Sequence, residues 1–205
     1  IVKEATRAKR IVSDLLSFSR EAKPSLEWVD LNDVMNMSLL LLEKQGVMEG
    51  VEVQRDLAGE LPLVRADAGQ MHQVFTNLLL NAVQAMNCSP APQGVSEPGH
   101  GPKKLFLHTR FCENLDGTLS VPSSPGGPFI RVVIRDTGSG IAPENLDKIF
   151  DPFFSTKGTG EGTGLGLYIV SGILKNYGAE YHLESTIGEG TTFTIDFPLS
   201  TTPKL

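Results

Sequence analysis

Gly162-Thr163-Gly164-Leu165-Gly166-Leu167 opens directly into the apolar stretch Tyr168 to Leu174, and it decides how the chain is read. Glycine at every second position leaves no side chain to hold an anion away, so backbone N–H groups can approach it closely. A helix expected over about 164–177 adds its free N–H groups and the positive end of its dipole to the same anion. Glycine-rich turns are common. This one gains weight from three other motifs that stand in order with it, and the set makes nucleotide binding the leading reading.

Upstream, Asp67 caps a predicted helix that carries Met71, Val74, Phe75, Leu78, Leu79, Ala82, Val83 and Met86 at helical spacing. Asn77 and Asn81, four apart, share one face of it, while Leu78 and Leu79 turn to the core. A neutral amide oxygen suits Mg²⁺, which keeps several waters and bridges to substrate phosphates. By themselves the two asparagines read as polar positions on the exposed side of an amphipathic helix. Asp136-Thr137-Gly138-Ser139-Gly140-Ile141 follows a predicted strand. A carboxylate there can accept from the exocyclic amine of adenine, with glycines letting the ring pack close to the backbone. The pattern is equally that of a β-turn opened by Asp. Phe150-Asp-Pro-Phe-Phe154 precedes Ser155-Thr156-Lys157-Gly158. Aromatics around a proline, then glycines, suit an apolar hinge beneath a movable lid. Lys157 either reaches terminal phosphates as a point charge or is a solvated lysine. Gly188-Glu-Gly190-Thr191 is a hairpin turn or, alternatively, brings the Thr191 hydroxyl beside an adenine pocket through a water.

The rest of the chain supplies a scaffold. Residues 1–20 read as an amphipathic helix: Ile1, Ala5, Ala8, Val12 and Leu15 follow coiled-coil spacing, and Pro24 ends it. Such a stripe needs a partner, from a second subunit, a further segment, or its own domain. Trp28 to Leu31 is a short strand or linker, and Asp30 or Asn32 caps a helix over about 32–46. Strands are expected at Val51 to Gln54, at Leu63-Val64, over 105–111 and 130–135 as a hairpin, and at 180–186 and 191–198. A short helix is expected near 143–149, and the turn between the last two strands holds Gly188 and Gly190. Two Pro/Gly-rich stretches, 87–104 and 113–128, read as solvated surface loops. The sum is an α+β fold: a two-layer sandwich of a mixed, mostly antiparallel sheet with helices on one face, preceded by one long amphipathic helix.

Composition sets limits on function. The 205 residues are 40% hydrophobic, enough for one good-sized core. A formal net charge of -6 and a pI of about 5.2 argue against nucleic acid as a partner. No apolar run is long enough to span a bilayer, so no membrane contact is expected of these residues. The two cysteines, Cys88 and Cys112, lack metal-ligand spacing and read as free thiols. The chain begins at Ile1 inside a helical pattern, which reads as a piece of a longer protein.

The ordered blocks around Asn77–Asn81, Asp136–Gly140, Phe150–Phe154 and Gly162–Leu167 resemble the N, G1, F and G2 boxes of the sensor histidine kinase ATP-binding domain. Gly188-Glu-Gly190-Thr191 resembles that family's last glycine motif, and the likeness covers about residues 28–199. The fold is shared with type II topoisomerases, heat-shock 90 chaperones and mismatch-repair ATPases. Arg7-Ala8 and Ile11 to Arg20 resemble the second helix of the kinases' dimerisation and phosphotransfer hairpin. The resemblance therefore implies a partial hairpin helix at 1–22, homodimeric in the intact parent, and an ATP-binding catalytic domain at 23–205.

It also implies ATP and Mg²⁺ as ligands, with Asn81 on the metal and Asp136 reading adenine. Asn77, Gly138, Gly140, Ile141, Phe153 and Thr191 surround the nucleotide. Lys157 and Gly158 through Gly164 belong to the lid. Gly162, Thr163, Gly164, Leu165, Gly166 and Leu167 form the phosphate turn and helix start. The hydrolysing relatives carry a Glu four residues before the metal-binding Asn. This chain has Asn77 there, and an amide takes no proton at neutral pH. Transfer of the γ-phosphoryl to a histidine, and onward to a response regulator, fits better than hydrolysis.

None of His72, His100, His108 and His182 has the context of the family's phosphoacceptor, so that histidine is expected outside these residues. No catalytic residue is assigned with certainty; Lys157 is the candidate. The implied setting is the cytoplasm, the parent being soluble or membrane-anchored. The alternatives are an ATPase of the related chaperone kind and a non-catalytic ATP-binding module.

Overall fold

A computed structural model describes residues 24–87, 102–113, 127–156 and 162–199. The expected helix over 1–20, Lys157, Gly158 and most of both Pro/Gly-rich stretches lie outside the described residues.

Strand β1 (Glu27–Val29) leads into helix α1 (Leu31–Lys44), followed by β2 (Glu52–Leu57) and β3 (Val64–Ala66). Helix α2 (Ala68–Asn87), β4 (Lys104–Cys112) and β5 (Phe129–Asp136) come next. A single 3-10 turn (Pro143–Asn145), helix α3 (Gly166–Asn176), β6 (Glu180–Thr186) and β7 (Gly190–Pro198) complete the order. Five strands form one sheet in the order β2-β4-β5-β7-β6, parallel only between β2 and β4. Strands β1 and β3 make a separate antiparallel pair. The expected mixed, mostly antiparallel sandwich is thus the observed one, and β4 and β5 pair as foreseen, Leu105 opposite Asp136.

Alternation builds the inner face of the sheet. Leu105, Leu107 and Thr109 of β4, Ile130, Val132 and Ile134 of β5, and Phe193, Ile195 and Phe197 of β7 are all buried. Against them lies α2, whose Met71, Val74, Phe75, Leu78, Leu79, Ala82, Val83 and Met86 are buried as its spacing foretold. Helices α1 and α3 flank α2. The buried Thr109 hydroxyl both donates and accepts: Oγ1 accepts from Ala58 N at 3.0 Å and donates to Asn32 Oδ1 at 2.9 Å.

Several boundaries depart from expectation. Of the two candidate caps, Asp30 is the one used, its Oδ1 accepting from Asn32 N at 2.7 Å, which moves the helix start one residue earlier than expected. Leu31 is therefore helical. The segment near 143–149 closes only one 3-10 turn before irregular turns. Gly190 belongs to β7, paired with Thr186, and not to the turn. Two further contacts fix the frame. Tyr177 Oη accepts from Asp67 N at 3.1 Å and donates to Gln70 Oε1 at 2.7 Å, tying the end of α3 to the start of α2. On the outer sheet face, Arg131 forks onto buried Asp196 at 2.7 and 2.6 Å.

Candidate nucleotide site

The site is assembled along one edge of α2. Asn77, Asn81 and Ala85 are spaced four apart and form a line on that helix. At one end of the line Ala85 O accepts from Ser139 N at 3.1 Å. A Cβ on Gly138 would meet the Ala85 backbone at 2.7 Å, so the loop after β5 rests on the helix only because residue 138 has no side chain. At the other end, a Cβ on Gly166 would lie 3.6 Å from Asn77 Oδ1 and 3.8 Å from Asn81 Nδ2. One helix edge thus joins the two glycine motifs, which lie about 25 residues apart in sequence.

Asp136 ends β5 on the inner face and is 5% exposed. Its Oδ1 accepts from Gly138 N at 2.7 Å. Burial pushes its pKa up to about 6, against the opposing pull of the Gly138 and Thr191 backbone N–H donors. Thr191 stands opposite Asp136 in the β5–β7 ladder. The loop 137–141 is held on its far side by the β6–β7 hairpin. Gly188 N donates to Ser139 O at 2.9 Å, and Ile141 N donates to Ser185 Oγ at 2.8 Å. Gly140 has φ +68, and a Cβ there would run into the Thr186 backbone, so this clasp requires glycine.

The glycine turn before α3 is built differently from the starts of the other two α-helices. Helices α1 and α2 begin with the side chains of Asp30 and Asp67 on their first N–H groups. Helix α3 begins at Leu165 with no side-chain cap. A helix start without a side-chain cap is suited to an anion, and Gly166 beside Asn77 and Asn81 adds no side chain there. Leu165 is 4% exposed and Leu167 packs on the core, so what these two offer a ligand is backbone. Thr163 Oγ1 accepts from Leu165 N at 3.3 Å, and Gly162 stands just before it.

The aromatic motif divides in two. Phe150 anchors inward, 5.1 Å from the Tyr181 ring and 6.4 Å from that of Phe193. Phe153 is 65% exposed, with φ +67. An L-residue in that conformation costs about 1–2 kcal/mol. It is held by a 2.9 Å bond from Phe153 N to Gly164 O, while the space a Cβ on Gly164 would need is filled by the Phe153 backbone.

Asp136, Gly138, Gly140, Ile141 and Thr191 are therefore brought together at one end of the sheet, with Asn77, Asn81, Gly164 and Gly166 along the adjoining helices. Sequence reasoning did not single out Ala85, Ser185 or the Phe153–Gly164 clasp. Ser185 carried one usable signal, its place across the hairpin from Thr191. Three of the four histidines fall among the described residues, and each has a polar neighbour; His100 lies outside them. His72 Nδ1 pairs with buried Ser38 at 2.7 Å, His108 Nδ1 with Asp56 at 2.8 Å, and His182 Nε2 lies 3.6 Å from Glu184. Among the described residues no helix is long and apolar enough to cross a membrane. Nor does any group of three His, Cys, Asp or Glu side chains among them gather to hold a metal ion.

Comparison with known proteins matches residues 66–201 to the family described as histidine kinase-, DNA gyrase B-, and HSP90-like ATPase. The sensor histidine kinase ZraS of Escherichia coli (strain K12) is 33% identical over 204 residues, covering 100% of this chain and 38% of its own length. Among solved structures, full-length ShkA in complex with AMPPNP aligns with a TM-score of 0.70 at 25% identity, over 98% of this chain and 38% of that one. The histidine kinase ThkA in complex with the response regulator protein TrrA has the same fold: TM-score 0.67, 22% identity, 99% of this chain and 50% of that one. On the matched motifs and the shared fold together, the chain belongs to the histidine kinase-, DNA gyrase B- and HSP90-like ATPase family, and ZraS, which it resembles along its whole length, is a sensor histidine kinase.

Proposed function

We propose that this chain is the ATP-binding catalytic domain of a sensor histidine kinase, passing the γ-phosphoryl of ATP to a histidine carried outside these residues. The observation that supports the reading is the line Asn77–Asn81–Ala85, which brings the loop after β5 and the glycine turn before α3 onto one helix edge. Asp136 accepts from the adenine amine. The N-terminus of α3, which has no side-chain cap, and Lys157 from the lid meet phosphate charge. The donor set at Asn81 fits Mg²⁺: an amide oxygen completed by phosphate oxygens and water, on a helix edge kept clear by Gly166. Magnesium, when bound, neutralises charge on the transferring phosphates.

Asn77 decides between transfer and hydrolysis. An amide cannot take a proton from water, so the chain orients ATP for an outside nucleophile. Catalysis is then positioning and charge neutralisation. The acceptor imidazole belongs to the first helix of a dimerisation hairpin, whose second helix residues 1–22 would form in part, and a response regulator receives the phosphoryl group from it. That partner is supported by the fold shared with ThkA, whose structure holds one. The setting proposed is the cytoplasm.

Equilibrium titration of the purified chain with ATP tests the reading. Saturable binding that weakens at least tenfold on chelation of magnesium, and weakens likewise in Asn81→Ala, is expected. A histidine-bearing hairpin added in trans should then take up label from γ-labelled ATP, while the chain alone should not label itself. Absence of ATP binding by the folded chain would overturn the proposal. Binding without labelling of the hairpin would favour a non-catalytic module.

A further inference from the structure

Ser185 makes three contacts with one hydroxyl. Its Oγ accepts from Ile141 N at 2.8 Å, lies 3.0 Å from Gly190 O, and lies 2.9 Å from Thr191 Oγ1. A serine hydroxyl has one proton and two lone pairs. A carbonyl oxygen can only accept, so the Ser185 proton goes to Gly190 O. The lone pair left after Ile141 then requires a donor, and the Thr191 hydroxyl supplies it. All three contacts are satisfied together in this one arrangement.

We propose that Ser185 is a positioning residue for purine recognition: it takes the Thr191 hydroxyl proton and thereby fixes the Thr191 oxygen as an acceptor beside Asp136. The inference rests on the nucleotide reading above and adds a specificity element to it. Thr191 and Asp136 are directly opposed on β7 and β5. With its proton committed to Ser185, Thr191 offers lone pairs only, and a direct partner or a bridging water must donate to it. The carboxylate of Asp136 is also an acceptor. Two acceptors side by side favour a 6-amino purine, whose amine has two N–H groups. They disfavour a 6-oxo purine, which brings a carbonyl oxygen to the same place. Discrimination of this kind comes from leaving polar groups unpaired in the wrong complex.

The test compares ATP with inosine triphosphate, which differs in carrying oxygen at C6 and a proton at N1. Removing the Ser185 hydroxyl frees the Thr191 proton to turn toward a 6-oxo group. In Ser185→Ala, inosine triphosphate should gain on ATP by roughly tenfold in the ratio of dissociation constants, the size of one hydrogen bond. Ser185→Thr, which keeps the hydroxyl, should hold the parent ratio. Thr191→Val, which removes the acceptor itself, should also shift the ratio toward inosine triphosphate, and it gives a second route should Ser185→Ala not fold. Ser185→Ala also strips Ile141 N of its partner, and that loss weakens both nucleotides by the same factor. An equal loss for both, with an unchanged ratio in the folded variants, would overturn the inference while leaving ATP binding in place. No ATP binding by the parent chain would instead sink the functional reading beneath it.

Discussion

The Gly138 N–H donates to the Asp136 Oδ1 across 2.7 Å, and this bond is what a buried carboxylate keeps in place of water. It is not enough to offset burial, and Asp136 titrates near 6. A carboxyl raised above its unfolded value of 3.8 adds stability that is complete below that value and is lost as pH rises through about 6. Between those limits the folded chain holds the extra proton, so this group makes stability fall with rising pH by up to about 1.4 kcal/mol per pH unit. Urea unfolding of the parent and of Asp136→Asn between pH 4 and 7 should show the parent with the steeper fall. Parallel pH profiles would contradict the assignment.

If Asp136 reads adenine as proposed, the same proton governs ATP binding. Only the ionised carboxylate is a pure acceptor, and one pH unit below its pKa it is about a tenth populated. ATP affinity should therefore weaken roughly tenfold between pH 7.5 and pH 5. Asp136→Ala should bind ATP poorly at every pH, and calorimetric titration at three pH values checks both.

Gly164 is expected to be the least replaceable residue of the phosphate turn. Its φ of +68 strains any L-residue, and a Cβ would enter the Phe153 backbone. Gly164→Ala should cost more than about 2 kcal/mol locally and abolish ATP binding while the far-UV spectrum stays native. Near-normal binding would show that the clasp is dispensable.

Tyr177 offers a contrast, because it ties α2 to α3 at the end remote from the glycine turn. Tyr177→Phe leaves Asp67 N without the hydroxyl. Stability should drop by about 1–2 kcal/mol, with ATP affinity unchanged within twofold. A larger change in affinity would mean that the two helices transmit strain along their length.

Arg131 and Asp196 form a forked pair on the outer sheet face, Asp196 being 5% exposed. Removing one partner strands the other. Asp196→Ala should cost about 3 kcal/mol, and the double variant Arg131→Met, Asp196→Leu should recover most of it. Denaturant midpoints of the three chains measure this directly.

How far the sequence could be read depended on what each residue type announces. Helix α2 was legible because eight apolar positions repeat at helical spacing, and all eight are buried. Asp136 and the glycines of its loop were legible as a turn at a strand end, which is where the structure places them, with Asp136 Oδ1 accepting from Gly138 N; their use toward adenine is a proposal. Neighbours in the sheet were not: alternation in Glu52–Leu57 marks a strand but says nothing of its parallel pairing with β4. Gly190 read as a turn residue because glycine usually signals one, whereas here it is needed in a strand pressed against the Asp136 backbone. Phe153 gave no hint of its left-handed backbone, because that conformation is imposed from outside by the Gly164 carbonyl. Ser185 is an ordinary strand residue until its three partners are seen together. Lys157 and Gly158, named for the lid, fall outside the described residues and remain proposals resting on the motif.

The bond from Phe153 N to Gly164 O joins the two ends of the stretch between them. That bond fixes where the chain leaves the frame and where it returns, and lengthening a closed loop adds only about 0.6 kcal/mol per doubling. A reporter peptide inserted in that stretch should therefore leave the Phe153–Gly164 bond, and the start of α3 behind it, in place.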